Sequence, residues 1–242
     1  MHAKSKGYRR FAHRMDCFLE DMEVVDVFYR NLSLLEDQNV IFRGVTTTYP
    51  RLVKRQANRQ SRTLVLMHLK HTLYVSVIKE MYEEVMSYLG YILNCGALCF
   101  DEPGRLVGDQ KFQMTANEIL STDSREEIVS IVMTNVFRKL ENKRDTLLLV
   151  TELNERLALD IEEEVINRAL PFMEARHVFV HADGFADEEY QQKYPAIALT
   201  EKGQIKLNAT IMHNAVAQAK ALVAAFEQKM QEKHYFPNTG FE

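Results

Sequence analysis

Apolar residues recur at three- and four-residue intervals along most of the chain, which is the spacing of one face of an α-helix. Residues 8–35 show this pattern and are predicted to form the first helix. The longest stretch with this spacing of apolar residues is 63–94, which predicts the longest helix. Gly96 and the segment 101–104 are expected to end this helix. The segment 40–48 breaks the pattern and is predicted to be a loop.

Capping residues place the next helix boundaries. Ser124 and Glu127 form a capping box ahead of an apolar run, which predicts a helix that ends near Leu140. A shorter helix is predicted over residues 146–157, whose leucines and valine share one stripe.

The last third of the chain predicts two more helices. Asp160 is positioned to cap the first of them, Pro171 should kink or restart it, and Gly184 should end it. We predict a polar loop over residues 183–195 and a closing helix over residues 208–233.

Composition supports an all-α fold with additional helices at the N-terminus. Only 9 Gly and 5 Pro occur in 242 residues, and 46% of the residues are hydrophobic. Few helix breakers favour long helices, and this apolar content can fill a substantial core. We predict one helical domain over residues 1–242, with residues 1–62 as an N-terminal helical extension and residues 63–233 as the main bundle.

Charge, cysteine content and hydropathy favour a cytoplasmic protein. The net charge of −4 argues against indiscriminate coating of nucleic acid, although a local basic patch can still bind RNA. Three cysteines without the spacing of a disulfide framework fit a reducing compartment. No apolar core of a signal peptide follows the basic start, and charged residues interrupt every apolar stretch. We predict no membrane association and no cofactor.

Five basic residues without an intervening acid lie ahead of the longest predicted helix, at positions 51, 54, 55, 59 and 62. They form either a solvated helix face or a patch that contacts phosphate. Tyr190, in the predicted polar loop, either stacks on RNA bases or anchors that loop. The candidate RNA-binding residues are therefore Arg51, Arg55, Arg59, Arg62 and Tyr190.

Arg176 and His181 combine a permanent cation with a side chain that titrates near neutral pH. This pair suits metal-free phosphodiester cleavage, because imidazole can move a proton while guanidinium stabilises charge on phosphorus. Five residues on a regular helix separate two side chains by about 140°. The two residues should share a site only if the helix ends between them or a second subunit completes the site.

The segment around Arg176 resembles the HEPN superfamily, whose motif is an Arg and a polar residue followed by a His near a helix end. Here Arg176 and His181 enclose four residues, His177 fills the polar position, and Ala-Asp-Gly follows. The resemblance implies a helical bundle that forms homodimers and a metal-independent endoribonuclease that leaves a cyclic phosphate. Arg176 would hold the phosphate, His181 would act as acid and base, and His177 would support them.

The resemblance also implies a biological setting in toxin–antitoxin or phage-defence systems, with an antitoxin or a nucleotidyltransferase as a partner.

Two alternative functions remain open. Some members of the superfamily are inactive modules that bind RNA or a protein. His177 and His181, four residues apart with Asp183 nearby, could instead bind a metal, although no site of that kind is among our predictions.

Overall fold

The computed structural model describes residues 3–35, 49, 51, 59–100, 104–108, 113–143 and 145–237. These residues form a bundle of α-helices, and their only extended pairings are two isolated β-bridges, Phe185–Gln204 and Leu199–Ile205. The predicted all-α fold class is confirmed. In chain order the helices are α1 Lys6–Arg30, α2 Arg59–Cys99, α3 Gly104–Val107, α4 Ala116–Leu120, α5 Arg125–Glu141, α6 Thr146–Leu157, α7 Glu163–His181, α8 Glu188–Lys193 and α9 Ala209–Glu232, with a 3₁₀ helix at Leu32–Leu35.

Helix α2 is the central element of the bundle, because it packs against α1, α5, α6, α7 and α9. Met81, Val85, Leu89 and Ile92 on this helix are completely buried and follow the three- and four-residue spacing of the sequence pattern. Burial of this apolar surface stabilises a long helix far more than its intrinsic propensity does.

Helix α2 is longer than predicted at both ends, and Gly96 lies inside it. A Cβ atom at Gly96 would lie 2.5 Å from Cδ2 of Leu157 on α6. The glycine therefore allows α6 to pack closely against α2. The prediction that Gly96 ends the helix is wrong, because a glycine can serve close packing within a helix as well as helix termination.

The predicted cap of α5 is confirmed, and the predicted positions of α6 and α9 agree with the structure. The Ser124 hydroxyl accepts a hydrogen bond from the backbone N–H of Glu127 at 3.1 Å, so α5 begins where the capping box predicted. Asn208 likewise caps α9, which matches the predicted closing helix within one residue at each end. Helix α6 agrees with its predicted range, and the Asp145 carboxylate caps it.

The start of α7 differs from the prediction, because Glu162 and not Asp160 occupies the N-cap position, without a side-chain hydrogen bond. The Asn154 side chain accepts a hydrogen bond from the N–H of Ile161 at 3.0 Å and fixes the connection between α6 and α7. Asp160 adopts a left-handed backbone conformation in this connection, with its carboxylate 3.5 Å from Nζ of Lys233. The backbone path therefore leaves Asp160 outside the first turn of α7.

Of the two outcomes predicted for Pro171, a kink or a restart of the helix, the restart does not occur, because α7 continues through Pro171 as one element. The predicted loop over residues 183–195 needs correction. The predicted polar loop contains the short helix α8, whose N-cap is Asp187. The polarity of this segment predicts a loop, whereas in the structure Tyr190 on α8 buries its side chain against the bundle.

A buried carboxylate ties the N-terminus to the rest of the bundle. Glu227 on α9 is completely buried, and its oxygens accept hydrogen bonds from the Ser5 N–H and hydroxyl, both at 2.7 Å. The same carboxylate accepts from the hydroxyl of Tyr88 at 3.0 Å and from the amide of Gln231 at 2.8 Å. These four bonds join α1, α2 and α9.

The division predicted between residues 62 and 63 lies in the first turns of α2. One cluster of buried apolar residues extends from Phe11 to Phe236. None of the helices in the described ranges is both long enough and apolar enough to cross a membrane. The loop predicted at 40–48 and the candidate residue Arg55 lie outside the described residues.

Candidate active site

The C-terminal half of α7 lines a groove of about 460 Å³, which we call the site groove. Helix α2, the end of α5, the start of α6 and helix α8 form the other walls. The three residues that the sequence predicted as catalytic, Arg176, His177 and His181, all line it. Each wall contributes ionisable side chains, so the groove is polar.

Arg176 points toward α2. Its Nη2 donates to Oε1 of Glu83 at 2.9 Å, and its guanidinium lies over the ring of Tyr82, 4.9 Å from the centroid. The aromatic face orients the planar guanidinium, and the carboxylate holds one edge. The Arg176 side chain is 33% exposed. It can therefore reach a ligand in the groove, which would compete with Glu83.

His177 and His181 are in contact, with ring centroids 4.4 Å apart. Both residues are exposed, and the four-residue spacing on α7 brings them to the same face. His181 is the last residue of α7, where a positive imidazolium interacts favourably with the helix dipole. The pair is therefore available to bind a ligand and to exchange protons with it.

Gly184 forms the helix end behind His181, as the sequence predicted. Its N–H donates to the carbonyl of Val178 at 3.1 Å, and its φ is +85°. A Cβ at this position would lie 2.8 Å from the ring of Phe179. The glycine is required here both for its left-handed backbone and for the close approach of that ring.

Arg176 and His181 belong to one groove although α7 does not end between them. Both residues line the groove and lie within one continuous helix, and a contribution from a second subunit stays a prediction. The groove extends around α7, so that Arg176 contributes from the side facing α2 and the histidines from the last turn.

Carboxylates outnumber cations along the site groove. The cations are Arg176 and Lys193, and the carboxylates are Glu141, Asp145, Glu174, Asp187 and Glu189. Three carboxylates have local partners: Glu174 pairs with Lys193 at 2.8 Å, while Asp145 and Asp187 cap α6 and α8. Their charge is therefore partly balanced within the protein, and Arg176 supplies a positive charge to a ligand in the groove.

Glu141, the last residue of α5, was not a candidate in the sequence. It lines the groove, and its burial, reinforced by the neighbouring Glu83 carboxylate, raises its pKa above the ordinary value. The nearby Arg176 acts in the opposite direction. No sequence signal identifies this residue, because its position beside Glu83 depends on how α5 packs on α2.

The predicted basic patch does not form a continuous exposed row. Arg51 and Arg59 are exposed, but Arg62 is only 9% exposed. None of the three lines the site groove. The burial of Arg62 disfavours a contact with RNA, because a buried side chain does not present its charge to a phosphate at the surface.

Tyr190 lines the groove but is buried. Its hydroxyl donates to the carbonyl of Pro171 at 2.8 Å, and its ring packs edge-on against Tyr194 at 5.1 Å. This arrangement leaves little ring surface for an RNA base. The structure therefore favours the anchoring role over base stacking, since the tyrosine fastens α8 to α7.

The described residues contain no group of three or more His, Cys, Asp or Glu side chains arranged to hold a metal ion. Searches against protein families, curated proteins and solved structures found no match to this chain.

Proposed function

We propose that the protein is a metal-independent endoribonuclease whose active site is the site groove. The observation that carries the proposal is that Arg176, His177 and His181 line one groove within a single chain. Guanidinium and imidazole suit metal-free cleavage of RNA, and side chains of both kinds line this groove.

The proposed reaction is attack of the ribose 2′-oxygen on the adjacent phosphorus. His181 takes the 2′-hydroxyl proton, the new O–P bond forms, and the bond from phosphorus to the 5′-oxygen breaks. The leaving 5′-oxygen takes a proton from the second imidazole, His177, which lies in contact with His181. Arg176 stabilises the added negative charge on the phosphoryl oxygens. The products are a 2′,3′-cyclic phosphate and a free 5′-hydroxyl.

The proposal includes the homodimer and the toxin or phage-defence role that the HEPN resemblance implies. Val180 and Phe185, which flank His181 in sequence, are 41% and 47% exposed. Large apolar side chains exposed beside a polar site are typical of a protein interface. A second copy of the chain is the occupant proposed for this surface, while an antitoxin or a nucleotidyltransferase would be a separate partner.

Purified protein incubated with RNA and excess EDTA is expected to cleave the RNA. Neither proton transfer by imidazole nor charge stabilisation by guanidinium requires a metal, so chelation should leave the rate unchanged. End-group analysis should find 2′,3′-cyclic phosphates and 5′-hydroxyls. Cleavage that disappears in EDTA, or products with 5′-phosphates, would contradict the proposed chemistry.

Glu83→Gln is expected to increase the affinity for RNA by about two- to fivefold, which corresponds to the energy of a partly exposed ion pair. The Glu83 carboxylate occupies one edge of the Arg176 guanidinium, so a phosphate must displace it. Filter binding with non-cleavable 2′-O-methyl RNA measures the change. Glu164→Gln removes the same charge from an exposed pair with Arg168 and serves as the control. Equal affinities for both variants would show that Glu83 does not compete with RNA.

A second candidate function is a non-catalytic module that binds RNA or a protein. The excess of carboxylates over cations in the site groove favours a protein as the partner of such a module, because it weakens the attraction for a polyanion. Under this alternative the wild-type protein binds a partner and leaves RNA intact in the EDTA experiment. The two candidates are thus distinguished by one measurement.

A further inference from the structure

His177 and His181 are a pair of imidazoles with a spacing that can chelate a metal ion on a helix. Two histidines four residues apart lie on the same face of an α-helix, and one Zn²⁺ can bind both rings. Here the ring centroids lie 4.4 Å apart, and both residues are exposed. An ion in solution can therefore reach both rings.

The distance between the two rings is compatible with joint coordination of one ion. With metal–nitrogen bonds of about 2.0–2.1 Å, the centroids of two bound imidazoles lie about 4.5 Å apart at a bond angle of 90° and about 5.2 Å apart at a tetrahedral angle. The observed 4.4 Å is close to the right-angled arrangement, which suits Cu²⁺ and Ni²⁺. A movement of the exposed rings by about 1 Å gives the tetrahedral arrangement of Zn²⁺.

The charge of the site groove favours a cation as the ligand of these histidines. Its two basic side chains already have carboxylate partners, since Arg176 contacts Glu83 at 2.9 Å and Lys193 contacts Glu174 at 2.8 Å. Four further carboxylates line the groove: Glu141, Asp145, Asp187 and Glu189. The groove therefore has an excess of negative charge, which attracts a divalent ion.

The position of His181 on α7 adds to this attraction. His181 is the last residue of a helix of 19 residues, and the C-terminal end of a helix carries partial negative charge from its backbone carbonyls. A cation bound to His181 is stabilised by that charge. The described ranges hold no set of three metal-binding side chains, so water fills the remaining coordination positions, as in open metal sites.

We infer that His177 and His181 together bind one divalent transition-metal ion, of the class of Zn²⁺, Ni²⁺ and Cu²⁺, and that this ion switches off RNA cleavage. The second part rests on the proposed function. A bound metal occupies the nitrogen lone pair with which a neutral imidazole accepts a proton, and the other ring nitrogen carries a hydrogen. Metal-bound His181 therefore cannot take the 2′-hydroxyl proton, and loss of the ion restores the reaction.

Isothermal titration of the full chain with Zn²⁺, Ni²⁺ and Cu²⁺, in the absence of RNA, tests the metal site. Wild-type protein should bind all three ions, and Cu²⁺ most tightly, as expected for imidazole ligands. His177→Ala and His181→Ala should each lower the affinity about tenfold or more, because chelation by two rings is lost. Electron paramagnetic resonance of the Cu²⁺ complex should show coupling to two imidazole nitrogens in the wild type and to one in either variant.

His13→Ala is the matched control. His13 also has a potential ligand four residues later on its helix, because its Nε2 lies 3.8 Å from Sγ of Cys17 on α1. This variant should bind the ions of the α7 site with wild-type affinity. Equal affinities of the wild type and both α7 variants, or a loss in the control alone, overturn the site. Binding of Mg²⁺ as tight as that of Zn²⁺ also overturns it, because Mg²⁺ selects oxygen ligands.

A separate cleavage assay tests the inhibition. Zn²⁺ at ten times its dissociation constant should slow RNA cleavage about tenfold, and EDTA should restore the rate. Undiminished cleavage by protein whose two histidines hold the ion overturns the inhibition. Protein that binds the ion through both histidines but leaves RNA intact in EDTA would contradict the proposed function and support the metal site.

Discussion

Replacing His181 with alanine is expected to lower the rate of RNA cleavage by about 10²–10⁴-fold, which is the usual contribution of a general acid or base. Arg176→Ala should lower it by about 10²–10³-fold, because one donor to the developing charge is lost. Single-turnover cleavage of a labelled RNA measures both effects. Both side chains are at least partly exposed, so the thermal unfolding temperature should change little.

Two surface substitutions control for nonspecific effects of these changes. Arg168→Ala removes a cation from the same helix, and His213→Ala removes an exposed imidazole from α9. Neither residue lines the site groove, so both variants should cleave RNA at the wild-type rate. If His181→Ala and Arg176→Ala were as active as these controls, the groove would not be the active site.

Mixing the two inactive variants tests whether one chain supplies a complete site. Arg176, His177 and His181 line the same groove of one chain, so a mixture of Arg176→Ala and His181→Ala should stay inactive. Recovered activity would instead show that Arg and His come from different subunits of a dimer. Sedimentation of the same samples reports whether the dimer exists.

The helices were predictable because their apolar spacing reflects the core that they share. The stripe on residues 63–94 corresponds to the buried face of α2, and Ser124, Asp145 and Asn208 cap helices close to the predicted positions. These signals are local, since a cap or a stripe is decided by residues within a few positions of each other.

The errors occur where distant residues determine the outcome. Gly96 has the features of a helix end, but its role depends on Leu157, which follows it by 61 positions in the sequence. Asp160 has the chemistry of a cap, but Asn154 and Lys233 fix the surrounding backbone and side chain. Arg62 has the charge of a surface residue, but the packing of α2 buries it.

The candidate site was predictable in its reactive groups but not in its surroundings. Arg176, His177 and His181 lie within six residues, so their identity and proximity could be inferred from the sequence. Their partners Glu83 and Tyr82 lie more than ninety positions away from Arg176, and Glu141 reaches the groove from another helix. The tertiary structure, and not the local sequence, therefore determines which carboxylate pairs with the Arg176 guanidinium.

Glu227→Ala is expected to lower the free energy of unfolding by about 3 kcal/mol or more. The buried donors of Ser5 and Tyr88 lose their acceptor in this variant, and each unsatisfied buried group costs about 1–3 kcal/mol. For a chain of this length the loss corresponds to a fall of about 6–12 °C in the melting temperature. Burial and the Glu227 carboxylate both raise the pKa of Tyr88 well above its ordinary value, so Tyr88 remains a hydrogen-bond donor throughout the neutral range. Calorimetry at pH 7 measures the change.

Glu232→Ala is the matched control, because it removes an exposed carboxylate from the same helix and should shift the melting temperature by less than about 2 °C. Glu227→Gln keeps one acceptor and the side-chain volume, so its stability should fall between that of wild type and Glu227→Ala. A Glu227→Ala protein as stable as the control would mean that the carboxylate does not join α1, α2 and α9 in solution.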